Sequence, residues 1–153
     1  MNDAPDLELH QDESLIDDPS ELALRQIVEW MVSDGSILTH VFGPSTSDQG
    51  KPSYTREKSV GAQEARDWHA ANGSSKPIGV WAVSVDEVHG AGTHVIDDSA
   101  DTTKAPGHCY VDYRGLAKPD VKSIRYTLWQ RAMDRGEIPT EPTLADGELF
   151  GSE

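Results

Sequence analysis

Apolar positions along this chain follow two spacings, and each predicts an element type. In DDPSELALRQIVEWMV, Leu24, Ile27, Val28 and Met31 recur at i, i+3, i+4, i+7, the pattern of one helical face. Asp18 as cap, Pro19 in the first turn and Glu21 three residues after the cap strengthen that reading, which predicts a helix over 19–33 ending near Gly35. GAQEARDWHAANG predicts a second helix over 62–71, closed by Asn72-Gly73, and KPDVKSIRYTLWQRAMDRG predicts a third over 118–136 with Val121, Ile124, Leu128 and Ala132 buried. Strands are expected at ILTHVF (37–42) and at IGVWAVSV (78–85), the latter apolar on both faces and therefore central. THVID and HCYVDYR add two more, with a helical turn at DEVHG. Residues 43–61 read as a loop with a short extended piece at 53–56. This order predicts one α+β domain, a small and mainly antiparallel sheet of about four strands with about three helices packed on it.

Composition narrows the picture. The 153 residues carry a formal charge of −14, but 13 of the 27 acids lie in residues 1–21 and 137–153, which contain no Lys or Arg. The stretch between has 14 acids against all 13 bases and is nearly neutral, so an acidic surface is not a property of the domain. Residues 1–17 and 137–153 are expected to be disordered acidic tails flanking a domain over 18–136. There is no apolar run long enough to span a bilayer and no signal-peptide pattern, so a cytoplasmic protein with no membrane partner is expected. With one cysteine, the chain has no internal disulfide and none of the Cys-pair spacings of a zinc site. No cofactor or metal is expected.

The chemistry that does stand out is in KAPGHCYVDYRG. Cys109 beside His108 resembles a nucleophile and its base, but neighbours in a strand point to opposite faces. Cys109, Val111 and Tyr113 then face the core, whereas His108, Tyr110, Asp112 and Arg114 form one polar row. On that row His108 would serve as acid or base, Tyr110 as donor, Asp112 as orienting carboxylate and Arg114 as anion clamp. The competing reading is a solvated strand face. His94, Asp97, Asp98 and His108 are the residues from which a metal site would be assembled, without diagnostic spacing. Phosphate-loop, dinucleotide and nucleophile-elbow motifs are absent. On the last helix, Lys118, Lys122, Arg125 and Trp129 define a basic stripe beside Arg114, a candidate surface for an acidic protein or for nucleic acid.

HVFGP, GVWAVSVDEV, PGHCYVDYRGL and AMDRG, in that order, resemble the motifs of a family of small bacterial proteins with GVWAV and PGHxYVDFR-like strands. The resemblance covers about residues 22–136 and implies one compact domain and a prokaryotic source, with no activity to transfer. The expected function is therefore a non-enzymatic accessory or regulatory protein acting by protein–protein binding, in a defence or toxin-related system. The alternatives are a small hydrolase or transferase using the polar strand row, and a nucleic-acid binder using the last helix.

Overall fold

In the computed structural model, which describes residues 9–143, largely apolar strands build a sheet covered on both faces. The strands are β1 (Ser14–Leu15), β2 (Leu22–Val28), β3 (Val32–Ser33), β4 (Ser36–Ile37), β5 (Ser53–Arg56), β6 (Pro77–Ser84), β7 (Val95–Asp97) and β8 (His108–Val111). The helices are α1 (Ala62–Asn72), α2 (Val85–Ala91) and α3 (Lys118–Arg135). Six strands form one antiparallel sheet in the order β1-β7-β8-β5-β2-β6, and β3 with β4 makes a separate hairpin. The α+β architecture with three α-helices matches the reading of the sequence, but the sheet has six strands rather than about four.

Ala23, Ile27, Val83, Cys109 and Val111 look toward α2, α3 and Phe42. Leu24, Val80 and Ala82 look the other way, with Ala65 of α1. This double burial explains the main error in the sequence reading. Leu24, Ile27, Val28 and Met31 are all buried, as the helical pattern required, yet residues 22–28 are extended and paired along β6. A strand covered on both faces has too few polar positions to show a two-residue period, so its apolar residues also satisfy a helical one. The supposed capping residues close a turn instead. Asp18 accepts from the Ser20 amide (3.0 Å) and hydroxyl (2.9 Å), an Asx arrangement leading into β2.

Asp34-Gly35, read as a helix stop, is the tip of the β3–β4 hairpin with φ of 53° and 77° at its two residues. Positive φ at both positions is what such a two-residue turn requires. The strand expected at 37–42 is mostly a 3-10 turn over Thr39–Phe42, because side chains rather than a neighbouring strand satisfy its carbonyls. Tyr54 and Tyr113 both donate their hydroxyls to the Phe42 carbonyl (2.8 and 3.0 Å), and Arg25 Nε donates to the Val41 carbonyl (3.1 Å).

β6 is buried on both faces but lies at the end of the strand order, not at its centre. Its outer edge is covered locally: the Ile138 amide donates to the Val80 carbonyl (2.8 Å), and Arg135 Nη1 donates to that of Ala82 (3.0 Å). That cover protects an otherwise open edge. It also corrects the expectation of a disordered segment starting at 137. The N-terminal tail is corrected in the same way. Ser14 and Leu15 pair with Asp97 and Ile96, and Ile16 enters the core, so the high local charge conceals a short apolar anchor. Residues 1–8 and 144–153 of the two expected tails lie outside the described residues.

Arg56 ties three strand regions together. It grips Glu21 with two hydrogen bonds of 2.9 and 2.7 Å and reaches Asp97 at 2.8 Å. The Glu21 side chain is only 1% exposed, so removing its partner strands a buried carboxylate. Chemical denaturation of Arg56→Met is therefore expected to show a loss of roughly 3 kcal/mol or more, with part of it recovered in the Glu21→Met/Arg56→Met double variant. A loss under about 1 kcal/mol would mean that the pair acts as a solvated one.

Candidate functional site at the β5–β8 ladder

The antiparallel register of β5 and β8 sets Ser53 opposite Tyr110, Tyr54 opposite Cys109, and Thr55 opposite His108. Strand alternation then sends Tyr54, Cys109 and Val111 into the core. Cys109 is fully buried, and that burial, followed by the nearby carboxylates of Asp97 and Asp98, pushes its thiol well above the ordinary range. Cys109 and His108 are thereby placed on opposite faces, so His108 does not serve the thiol as a base.

On the other face, His108 and Ser53 are diagonal neighbours across the ladder, a spacing that a long side chain can bridge. His108 Nε2 lies 2.9 Å from Ser53 Oγ, and its Nδ1 lies 2.5 Å from Asp98 Oδ1. Asp98 follows β7 directly, where its amide donates to the His108 carbonyl (3.3 Å). A carboxylate can only accept, so Asp98 selects the tautomer with the proton on Nδ1 and leaves the Nε2 lone pair toward the serine hydroxyl. His108 and Asp98 are buried, whereas Ser53 is exposed. The chain of contacts therefore runs from an interior carboxylate through the ring to a hydroxyl open to solvent.

That hydroxyl faces an open groove of about 360 Å³ lined by Asp48, Lys51, Ser53, Asp98, Lys104 and His108. A second hollow of about 430 Å³, under the segment His10–Glu13, shares Lys51, Asp98 and Lys104 with it. The loop after Asp98 is folded back by Asp101, whose Oδ1 accepts from the Thr103 amide (3.0 Å) and hydroxyl (2.6 Å). This brings Lys104 Nζ to 3.6 Å from Asp98 Oδ2.

The rest of the predicted polar row does not join this centre. Tyr110 is buried and donates its hydroxyl to Glu13 Oε2 (3.0 Å); burial first, and that hydrogen bond second, push the phenol up. Asp112 is held by Arg114 through Nε (2.9 Å) and Nη2 (3.1 Å), and the Arg114 guanidinium also lies over the Tyr110 ring. These three residues fasten the N-terminal segment and the end of β8. Of the four potential metal ligands, Asp97 turns to Arg56 and Ser99 while Asp98 turns to His108. His94 pairs with His89 at 3.2 Å. No cluster of three or more His, Cys, Asp or Glu suited to a metal forms among the described residues.

Nor does the basic stripe of α3 form one exposed row. Lys118 and Lys122 are exposed, but Arg125 packs against Gly43, where a Cβ would come within 2.8 Å of it. Trp129 donates its indole N–H to the Ile37 carbonyl (2.9 Å). Ser53 is the partner of His108 that sequence reasoning missed, and Asp98, grouped with His108 only as a potential metal ligand, is its hydrogen-bond partner instead. The short extended piece at 53–56 was the one signal for the first, and it carried no information about which strand it would pair with.

No family model, curated protein or solved structure matches the chain, so the motif resemblance brings no activity to this site. The placement of the thiol makes its own prediction. Cys109 is expected to resist an aromatic disulfide reagent in the native protein and to react stoichiometrically once the chain is unfolded in denaturant. Rapid labelling of the native state would contradict the buried position.

Proposed function

We propose that the chain is a small hydrolase or acyl transferase in which Ser53 is the nucleophile, His108 its general base and Asp98 the group that orients the imidazole. The observation that carries this reading is the continuous Ser53–His108–Asp98 hydrogen-bonded chain ending at an exposed hydroxyl in a groove. Geometry and roles, rather than sequence position, are how such a triad is recognised.

In the reaction, an Oγ lone pair of Ser53 forms a bond to the carbonyl carbon of an ester or amide while the hydroxyl proton passes to His108 Nε2. Collapse of the tetrahedral adduct breaks the bond to the leaving group, which takes that proton. Water then attacks the acyl-serine, giving its proton to Nε2, and the released Ser53 oxygen recovers it. Asp98 stabilises the imidazolium in both halves without itself taking the proton. Lys104, which lines the same groove and reaches Asp98 at 3.6 Å, is assigned to the developing oxyanion.

A fluorophosphonate probe should label Ser53, as located by peptide mass spectrometry. Turnover of a para-nitrophenyl ester should fall by about 10³-fold in Ser53→Ala and in His108→Ala. Wild-type turnover matched by Ser53→Ala, with no label at Ser53, would remove the proposal.

A second reading, protein binding, is supported by a separate surface. Trp30 (63% exposed) and Ile78 (48% exposed) line a shallow groove of about 670 Å³ with Glu29, Val32, Ser75 and Lys76. Large exposed apolar side chains grouped in this way are characteristic of interaction sites. On this reading, proteins that co-purify with the wild type are lost from Trp30→Ser/Ile78→Ser while Ser53→Ala retains them. An unchanged set in the double variant would count against it.

A further inference from the structure

We infer that the centre takes anionic acyl substrates, with a carboxylate or similar group a few atoms from the reacting carbonyl, and that Lys51 anchors that charge. The inference rests on the reading of Ser53, His108 and Asp98 as a nucleophilic centre and adds the substrate class.

Lys51 lies two residues before Ser53 and lines both hollows, so a group bound to it would sit beside the reacting atom. Its position is built by a fastened turn. The Lys51 amide donates to the Asp48 carbonyl (3.0 Å), and the Gly50 carbonyl accepts from the Tyr113 amide (2.9 Å). Gly50 has φ of 78° and lies so close to Arg114 that a Cβ would come within 3.3 Å of its backbone nitrogen. A side chain at that position would meet both the backbone strain and the contact, so glycine is required for the turn that presents Lys51.

The charges around Lys51 are unevenly spent. Asp98 is engaged by His108 and Lys104, and Asp48 accepts from the Ser45 and Gly50 amides (2.8 and 3.1 Å). Asp101 accepts from Thr103, and Glu13 from the His10 amide (2.9 Å) and the Tyr110 hydroxyl. Asp12, the remaining acid, is exposed at the rim of the second hollow. Lys51 Nζ, by contrast, has no carboxylate partner among the described residues, and its contact is the face of the Tyr110 ring, 5.6 Å from the centroid. Lys51, half-buried on a hydrogen-bonded turn and set against an aromatic face rather than a carboxylate, is the cation of the groove whose charge is left for an incoming anion.

The test compares para-nitrophenyl butyrate with mono-para-nitrophenyl glutarate, which adds a terminal carboxylate to a similar acyl chain. The charged ester should be preferred about tenfold or more in kcat/KM at low salt, the size of one charge-assisted contact. Raising salt to about 0.5 M should shrink that preference in the wild type, because the groove is open to screening. Lys51→Gln should bring the ratio near one and Lys51→Arg should retain it, whereas Lys104→Gln should slow both esters. A wild-type ratio near one, or a ratio unmoved by Lys51→Gln, overturns the anionic-substrate inference alone if Ser53 is still labelled by the fluorophosphonate. Equal losses in Lys51→Gln and Lys51→Arg do the same. Absence of both label and turnover overturns the inference together with the reading beneath it.

Discussion

The register between β5 and β8 is the constraint on which the candidate centre depends. Side chains alternate every residue, so slipping β5 by one position along β8 would turn Tyr54 out of the core and bury Ser53 among apolar groups. The register is held from both faces. Below, the Tyr54 and Tyr113 hydroxyls converge on one carbonyl, that of Phe42. Above, His108 bridges Ser53 and Asp98. Arg25 adds a link along the strand by donating Nη1 to the Ser53 carbonyl (2.9 Å). The backbone that carries Ser53 is thus fastened independently of its hydroxyl.

The same logic organises the periphery. Arg56 joins the start of β2, the end of β5 and the end of β7, and its charge allows Glu21 to remain buried. Asp97 shows the balance on the other side: burial raises its carboxyl, but the Ser99 hydroxyl and amide and Arg56 outweigh that and hold it below the usual carboxylate range. The acidic N-terminal segment is recruited by one apolar residue, Ile16, and by Glu13 on Tyr110. Its residues His10–Glu13, in a stretch whose composition alone suggests only solubility, form one wall of the second hollow.

Several elements were legible from local signals. The helix from Ala62 has a clear Gly-bounded pattern, and the helix from Lys118 has a proline at its start and a glycine at its stop. The strand at 108–111 was legible in the two-residue period of HCYVDYR, and 53–56 as a short extended piece within a polar loop. The segment 22–28 was misread because a doubly buried strand and a helix leave similar apolar spacings. The site was read only in half. His108 was assigned to the polar face and Cys109 to the core, but Tyr110, Asp112 and Arg114 share that face without sharing a hydrogen-bonded chain with His108.

The sequence by itself determined which side chains of HCYVDYR part company, since that follows from the two-residue period of any strand. It also determined that residues 1–21 and 137–153 hold 13 of the 27 acids and no base, whereas the structure folds part of both stretches into the domain. The tertiary structure decided what His108 meets. Ser53 is 55 residues away and Asp98 ten, and both arrive through strand pairing and a loop whose geometry no local pattern encodes. Secondary structure is largely a matter of periodicity and turn chemistry within a few residues. A catalytic arrangement is a matter of distances between strands, and those exist only once the sheet has closed.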